Sequence, residues 1–147
     1  EKVVWALSDL SQAQHSARVV SDGSLLYFDN WGNHDFARDK DGGIIFRKAR
    51  SRIVEVDPLT QNVLWRYGSG RAAEQFYSKC CGRIQRLPNG NTLITQTKKG
   101  KVVEVNPEKE ITWKFLNPNQ SGENPNSIAS IYLRRLPKDF PVDWLEE

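Results

Sequence analysis

Short apolar runs separated by turn-forming pairs recur along the whole chain. The runs are rich in Val, Ile, Leu, Tyr and Trp, and the pairs between them are Asp-Gly, Asn-Gly, Asp-Pro, Asn-Pro and Lys-Gly. Such pairs are typical of the tight turns that join antiparallel strands. No segment repeats apolar residues at the spacing of an amphipathic helix over several turns. The pattern therefore predicts an all-β fold.

An internal repeat indicates which all-β architecture is formed. The segment SRIVEVDP at residues 51–58 recurs as GKVVEVNP at residues 100–107. Each copy passes through a short turn into a second apolar run, which ends at Trp65 in one copy and at Trp113 in the other. This half of the unit is predicted to be two strands joined by an Asx-Pro turn.

The residues before each copy repeat as well. ARVVSDGSLL at residues 17–26 corresponds to IQRLPNGNTL at residues 84–93, which predicts two strands joined by an Asx-Gly turn. Each unit thus holds four antiparallel strands in roughly 50 residues, the content of one blade of a β-propeller. The first unit carries an insertion at residues 31–50, which we expect to form a loop on one rim of the ring.

The two ends of the chain fit partial blades. KVVW at residues 2–5 matches the last strand of a blade, residues 127–135 are predicted to form a further strand, and residues 136–147 a Pro-rich tail. Residues 1–147 are then the C-terminal part of a single propeller domain with two complete blades. Because a propeller needs at least about four blades to close, we expect the rest of the protein or another chain to complete the ring. An open sandwich is the structural alternative.

Charge and composition exclude some partners. The chain has 21 Lys and Arg against 18 Asp and Glu, a net charge of +3, which falls short of the concentrated basic face of a nucleic-acid-binding protein. No apolar run is long enough to span a bilayer, and the first residues carry no targeting segment. We therefore expect neither a nucleic-acid partner nor a membrane span.

Several repeated residues have structural explanations. Trp5, Trp65 and Trp113 recur once per blade and are predicted to pack between blades. Glu55 and Glu104 alternate with β-branched neighbours in the third strand of each unit, and this alternation predicts that they project onto a solvated face. The residues of a functional site are instead expected where the two copies differ.

The copies differ most at the start of the first strand, where His15 stands opposite Gly82. In propellers the first strand of each blade lines the central channel, whose entrance is the usual ligand site. His15 can be a nucleophile, a general base or a metal ligand there, or simply a hydrogen-bonded histidine at a strand end. His34, in the insertion, either reaches over the same rim or is an exposed loop histidine.

Cys80 and Cys81 are adjacent and admit three interpretations. They can be two unpaired thiols, a vicinal disulfide in an oxidising compartment, or part of a metal site. The metal site is the least favoured of the three, because neighbouring side chains project to opposite sides of a strand and no Cys-x-x-Cys partner exists. We predict no metal ligands.

Four segments resemble the C-terminal part of the arylsulfotransferase family. They are QHSAR at 14–18, DGSLLYFDN at 22–30, SRIVEVDP at 51–58 and QRLPNGNTLI at 85–94. The Gln-His pair followed downstream by Phe-Asp-Asn is their specific part. The resemblance implies a six-bladed propeller that is periplasmic or secreted. It also implies that the protein transfers a sulfuryl group from an aryl sulfate to a phenol. It implies no cofactor and no nucleotide sulfate donor.

The resemblance also implies roles for individual residues. The transiently sulfurylated histidine of the family falls on His15, and Arg18 is the nearest candidate for stabilising the sulfuryl oxygens. Arg83, on the next blade, and His34 are candidate substrate-binding residues. Two alternatives remain: a non-catalytic propeller that serves as a binding module or scaffold, and a quinone-dependent oxidoreductase.

Overall fold

The computed structural model describes residues 2–7, 11, 13–32, 35–38, 40–42, 44–48, 50–68, 76–122 and 128–145. Within these ranges the regular structure is almost entirely β, apart from two single 3₁₀ turns at Thr97–Lys99 and Asp143–Leu145. The strands are β1 (Gln14–Val19), β2 (Leu25–Asp29), β3 (Asp35–Arg38), β4 (Ile44–Lys48), β5 (Arg52–Val56), β6 (Val63–Tyr67), β7 (Arg83–Arg86), β8 (Thr92–Gln96), β9 (Lys101–Val105) and β10 (Ile111–Leu116). The all-β fold predicted from the sequence is confirmed.

The two repeats fold as two four-stranded antiparallel sheets. The first sheet has the strand order β1-β2-β5-β6 and the second the order β7-β8-β9-β10. The repeated octapeptides form β5 and β9, which pair with β2 and β8 in equivalent positions. The inserted residues between β2 and β5 include a separate hairpin, β3-β4. Apart from this inserted hairpin, each strand therefore pairs with the strand that follows it in the chain, as in the blades of a propeller.

Both Asx-Gly turns depend on a glycine with positive φ. Gly23 has φ +87° and Gly90 has φ +85°, in the left-handed region that glycine enters without steric cost. The amide of Gly23 donates to the carbonyl of Val20 at 2.9 Å, and that of Gly90 donates to Leu87 at 3.0 Å. The same local chemistry thus closes the first hairpin of each sheet.

The main hydrophobic core lies between the two sheets. It joins the inward-facing residues of β2 and β5 to those of β7, β8 and β9, namely Leu26, Phe28, Ile53, Ile84, Ile94, Val103 and Val105, together with Phe76. On its other face the first sheet packs Tyr27, Val54 and Val56 against Leu7. The second sheet packs Leu87, Leu93 and Val102 against Ile131 and Leu133. Four layers are thus stacked in chain order.

The last of these layers is not the strand predicted for residues 127–135. Among the described residues 128–137 only Ile128 makes a β-bridge, to Gln120. Backbone hydrogen bonds from Ala129 to Asn119 at 2.9 Å and from Ile131 to Thr97 at 3.2 Å hold the segment. The side chain of Gln85 adds two more, since it donates to the carbonyl of Arg135 at 3.0 Å and accepts from its amide at 2.9 Å. No helix among the described residues has the length and apolar character needed to cross a membrane.

The prediction that Glu55 faces solvent is wrong. The residue is 7% exposed, and its carboxylate accepts a hydrogen bond from Ser24 Oγ at 2.7 Å and is ion-paired with Arg86 of the second sheet. The alternation predicted correctly that Glu55 points away from its neighbours Val54 and Val56, but both faces of the sheet are covered. A buried carboxylate is tolerated when a cation and hydrogen-bond donors satisfy it.

Glu104 repeats this arrangement one layer further along, and its predicted exposure is wrong for the same reason. Asn91 donates to its carboxylate at 2.7 Å and Arg135 at 2.9 Å, and the residue is 7% exposed. The hydrogen bond from Asn91, followed by those from Asn89 and Arg135, lowers the pKa of Glu104 against the opposing effect of burial. Each of the two sheets therefore presents a glutamate to an arginine of the following layer.

The tryptophans link the outer edges of the layers. Trp5 Nε1 donates to the carbonyl of Pro58 at 2.6 Å, and Trp65 Nε1 donates to that of Pro107 at 2.9 Å. In both cases the acceptor belongs to the Asx-Pro turn of the following sheet. Among the described residues no acceptor lies within hydrogen-bond distance of Trp113 Nε1.

Replacing Trp65 with phenylalanine should cost about 0.5–1.5 kcal/mol of unfolding free energy, because it removes one hydrogen bond and keeps an aromatic ring. Urea unfolding followed by fluorescence measures the change. Trp113→Phe controls for the loss of the stacked indole, since Trp113 stacks on Phe115 at 6.2 Å just as Trp65 stacks on Tyr67 at 6.2 Å. Trp65 additionally has the guanidinium of Arg86 at 5.4 Å from its ring centroid, a contact that a phenylalanine ring also makes. Equal losses in the two variants would show that the Pro107 hydrogen bond contributes nothing.

Candidate functional site

His15 lies on β1 beside a break in the strand. The register with β2 shifts between His15 and Arg18, which marks a β-bulge. Ala13 and Ser16 on either side have φ +54° and φ +56°, in the left-handed region that non-glycine residues seldom occupy. Backbone of this kind turns a side chain away from the ordinary alternation, and it occurs often beside functional sites.

The hydrogen bonds of His15 define its tautomer. Nδ1 lies 2.8 Å from Asn30 Oδ1 and 3.1 Å from the carbonyl oxygen of Ala13. Both partners are acceptors, so Nδ1 carries the proton, and in the neutral imidazole the lone pair lies on Nε2. Nε2 has no hydrogen-bond partner among the described residues, and the side chain is exposed. An exposed imidazole nitrogen with a free lone pair can act as a nucleophile or a base.

The orientation of Asn30 supports this assignment. Asn30 is fully buried, and its Nδ2 donates to the backbone carbonyl of Ser78 at 2.8 Å. A carbonyl can only accept, so the amide nitrogen must face Ser78 and the amide oxygen must face His15. A backbone group thus determines which nitrogen of His15 is protonated.

Two buried serines hold this arrangement in place. Ser51 Oγ lies 2.9 Å from the carbonyl of Asn30 and 3.1 Å from that of Ser78, and it accepts from the amide of Ser78 at 2.8 Å. Ser51 directly precedes β5, whereas Ser78 lies in the segment before β7. The support of His15 therefore comes from three segments that are far apart in the sequence.

Cys80 and Cys81 are joined to the same network. Ser78 Oγ lies 3.0 Å from the carbonyl of Cys80 and 2.9 Å from that of Cys81. Of the three interpretations of the pair, the structure agrees with two unpaired thiols, whose Sγ atoms lie 3.0 Å apart. The hydrogen bond with Cys80 and burial raise the pKa of the Cys81 thiol. The described residues contain no group of three His, Cys, Asp or Glu arranged to hold a metal ion.

The other predicted site residues are placed differently. Arg18, beyond the bulge on β1, and Arg83 on β7 line one cavity of about 390 Å³, and His15 is not among its lining residues. The structure thus brings the two arginines to one cavity that His15 does not line. His34 lies outside the described residues.

Sequence reasoning missed the residues that orient His15. The sequence marks Asn30 only as the end of the Phe-Asp-Asn motif, although its position just after β2, opposite the start of β1, is a signal. Ser78 could not be found in this way, because it lies 48 residues from Asn30 in a segment without pattern. Arg134 and Tyr132, which line the cavity with Arg18 and Arg83, were also missed.

Comparison with known proteins gives one family. The family model described as arylsulfotransferase (ASST) matches residues 1–118, which include both sheets, His15 and its supporting residues. A search of curated proteins finds no match.

Proposed function

This chain belongs to the arylsulfotransferase family, and from that membership we propose that it is part of an enzyme that transfers a sulfuryl group from an aryl sulfate to a phenolic acceptor through His15. The observation that carries the proposal is the geometry of the imidazole. His15 exposes Nε2, while Asn30 Oδ1 holds the proton on Nδ1 at 2.8 Å. The side chain is thus prepared to react at one defined atom.

The proposed reaction has two steps that mirror each other. In the first, the Nε2 lone pair forms an N–S bond as the S–O bond to the aryl group breaks, and the leaving phenolate takes a proton from solvent. In the second, the oxygen of a phenol attacks the same sulfur, loses its proton to solvent and breaks the N–S bond. No electrons are gained or lost, and His15 is restored.

Asn30 and Ala13 have a further role in this scheme. Bonding of Nε2 to sulfur draws electron density from the ring and makes Nδ1–H more acidic. The acceptors at 2.8 Å and 3.1 Å stabilise the positive charge that develops there. The sulfohistidine is thereby stabilised without a cofactor.

Arg18 stays a predicted stabiliser of the sulfuryl oxygens. It follows His15 on β1, and its guanidinium has no carboxylate partner among the described residues. A guanidinium without a carboxylate partner is available to bind anionic oxygens. Arg83 and His34 keep their predicted role in substrate binding.

The wider architecture is part of the same proposal. We place residues 1–147 in the C-terminal part of a six-bladed propeller whose remaining blades come from the rest of the protein or another chain. The stacked layers support this, because Trp5 and Trp65 link each layer to the next in the same way. A periplasmic or secreted location and an aryl sulfate donor in place of a nucleotide sulfate follow from the family resemblance.

A mass measurement tests the covalent step. The protein is incubated with an aryl sulfate and no acceptor, digested near neutral or alkaline pH, and its peptides are weighed. We expect one added sulfuryl mass on the peptide that contains His15. Phenol release without this adduct, or an adduct mapped to another residue, would contradict the proposal.

A further inference from the structure

Residues 78–82, which we call the cysteine segment, lie against the end of β2. The backbone carbonyl of Ser78 accepts a hydrogen bond from Asn30 Nδ2 at 2.8 Å. The carbonyl of Lys79 accepts one from Trp31 Nε1 at 2.7 Å. Asn30 and Trp31 directly follow β2 in the chain. A shift of the cysteine segment therefore moves the hydrogen-bond partner of Asn30.

The thiols of Cys80 and Cys81 lie close together in this segment, and both residues are half-buried. Their Sγ atoms are 3.0 Å apart, with the thiol of Cys81 donating to the sulfur of Cys80. An S–S bond is about 2.0 Å long, so the sulfur atoms need to approach by about 1 Å to become bonded. The sequence has no other cysteine, and an internal disulfide can only join these two.

Closing this bond changes the backbone that Ser78 contacts. A disulfide between adjacent cysteines forms a small ring that contains the peptide group between them, so this peptide group must rotate as the ring closes. Ser78 Oγ lies 3.0 Å from the carbonyl of that peptide group, which belongs to Cys80, and 2.9 Å from the carbonyl of Cys81. The rotation therefore acts directly on the partners of Ser78.

The other end of the cysteine segment has no room to absorb the change. Gly82 packs on the ring of Phe28, where an added Cβ would lie 2.5 Å from two ring carbons. Cys81, just before it, already has φ +57°, in the left-handed region that few non-glycine residues occupy. The displacement is therefore directed towards Ser78.

Ser78 connects the cysteines to His15 through two different groups. Its Oγ contacts the cysteine carbonyls, whereas its backbone carbonyl holds Asn30 so that Oδ1 lies 2.8 Å from His15 Nδ1. Ser78 is 1% exposed and Asn30 is fully buried, so water does not readily replace a hydrogen bond that is lost between them. A change at the cysteines thus reaches the imidazole through buried hydrogen bonds.

We propose that Cys80 and Cys81 form a reversible disulfide, and that this disulfide loosens the hold of Ser78 on Asn30 and makes His15 less reactive. The effect on the reaction rests on the proposed function of His15, whereas the effect on its tautomer does not. A strained or exposed disulfide is readily reduced, which suits regulation better than structural stabilisation.

The oxidant is a low-molecular-weight disulfide, and the exchange has two steps. Cys80 attacks first, because the hydrogen bond with Cys80 and burial raise the pKa of the Cys81 thiol and keep its proton in place. The Cys80 thiolate bonds to one sulfur of the oxidant and releases a thiol. Cys81 then attacks the sulfur of Cys80, and a second thiol leaves. The two released thiols carry the two protons and two electrons that the cysteines lose.

Peptide masses test the disulfide itself. The complete protein is equilibrated with excess oxidised glutathione, its free thiols are alkylated, and it is digested with trypsin. We expect the peptide with both cysteines to be unalkylated and lighter by two hydrogen atoms, and to become alkylated after treatment with dithiothreitol. Cysteines that stay alkylated throughout, or that keep a glutathione adduct, would overturn the proposal.

Imidazole ¹⁵N shifts test the connection to His15. In the reduced protein, neutral His15 should carry its proton on Nδ1, and in the oxidised protein both tautomers should be populated. The release of phenol should fall about three- to tenfold, the effect of one weakened hydrogen bond, and recover on reduction. An unchanged tautomer in the disulfide form would overturn the proposal. If the tautomer follows the redox state but neither form releases phenol, the connection stands and the sulfuryl transfer fails.

Three variants locate the effect. Cys80→Ser and Cys81→Ser each remove one sulfur and keep the carbonyl that Ser78 contacts, so both should keep the Nδ1–H tautomer in oxidised glutathione. Loss of that tautomer in either variant would show that the oxidant acts elsewhere and overturn the proposal. Ser78→Ala keeps the carbonyl that binds Asn30 but removes Oγ. Its disulfide should still form, and its tautomer should respond less than in the unaltered protein; an equal response would exclude Ser78 as the connection.

Discussion

Replacing His15 with alanine should reduce the release of phenol from an aryl sulfate by about 10⁴-fold or more, because the variant lacks the atom that forms the covalent bond. The loss of one stabilising donor typically costs only about 10²–10³-fold, so the size of the effect separates a nucleophile from a binding residue. The rate is measured spectrophotometrically with a chromogenic aryl sulfate. The sulfuryl adduct should disappear in the same variant.

Two controls belong with this measurement. Gln14→Ala changes the neighbouring exposed residue on β1, whose side chain hydrogen-bonds to Ser11 and not to His15, and should leave the rate nearly unchanged. His34→Ala should at most weaken the reaction, since we predict only substrate binding for that residue. Full phenol release by His15→Ala would exclude the covalent mechanism and favour the alternative of a non-catalytic binding module.

The sheets could be predicted from the sequence because local chemistry specifies them. Gly23 and Gly90 close their turns with backbone angles that glycine adopts freely, and the contacts involved span only a few residues. The two octapeptides then form equivalent strands. Copies of one local pattern fold alike, so the repeat predicted that the chain forms two equivalent four-stranded sheets.

Contacts between the layers could not be predicted in the same way. The alternation along β5 shows which side of the strand Glu55 occupies, but not that Arg86, 31 residues away, covers that side. The same distance of 31 residues separates Glu104 from Arg135. Solvent exposure depends on the neighbouring layer, and no pattern within one strand reports it.

The candidate site, like the sheets, could be predicted from the sequence only where local pattern specifies it. His15 stands out because the second copy has glycine at its position, so a comparison of the copies suffices. Its orientation depends on the carbonyl of Ser78, which carries no side-chain signal, and on a β-bulge with two positive φ angles. The cavity that Arg18 and Arg83 line likewise forms only where three layers lie side by side.

Asn30→Ala provides the second large effect that we expect, and it tests how His15 is oriented. The variant removes the acceptor at 2.8 Å from Nδ1, while the carbonyl of Ala13 at 3.1 Å remains. Part of the orientation is thus retained. The rate of sulfuryl transfer should fall about 10- to 100-fold, less than the loss of about 10⁴-fold found in hydrolases in which the wrong histidine tautomer is favoured.

A spectroscopic measurement separates this role from a merely structural one. In the unaltered protein, imidazole ¹⁵N shifts of neutral His15 should show Nδ1 protonated and Nε2 unprotonated. In Asn30→Ala the two tautomers should both be populated, and the fraction with a free Nε2 lone pair should fall together with the rate. A stability loss with unchanged tautomer and unchanged rate per folded molecule would show that Asn30 only fills the core.

Asn30→Asp completes the test, because it keeps an acceptor for Nδ1–H and removes the amide donor to Ser78. The carbonyl of Ser78 still has Ser51 Oγ at 3.1 Å, so the loss of that donor is partly compensated. The carboxylate also stabilises the positive charge that develops on the imidazole when Nε2 bonds to sulfur. Asn30→Asp should therefore restore the Nδ1–H tautomer and most of the rate lost in Asn30→Ala, although the buried charge lowers its stability. If Asn30→Asp proves as slow as Asn30→Ala while its tautomer is restored, the acceptor at Nδ1 does not control the reactivity of Nε2.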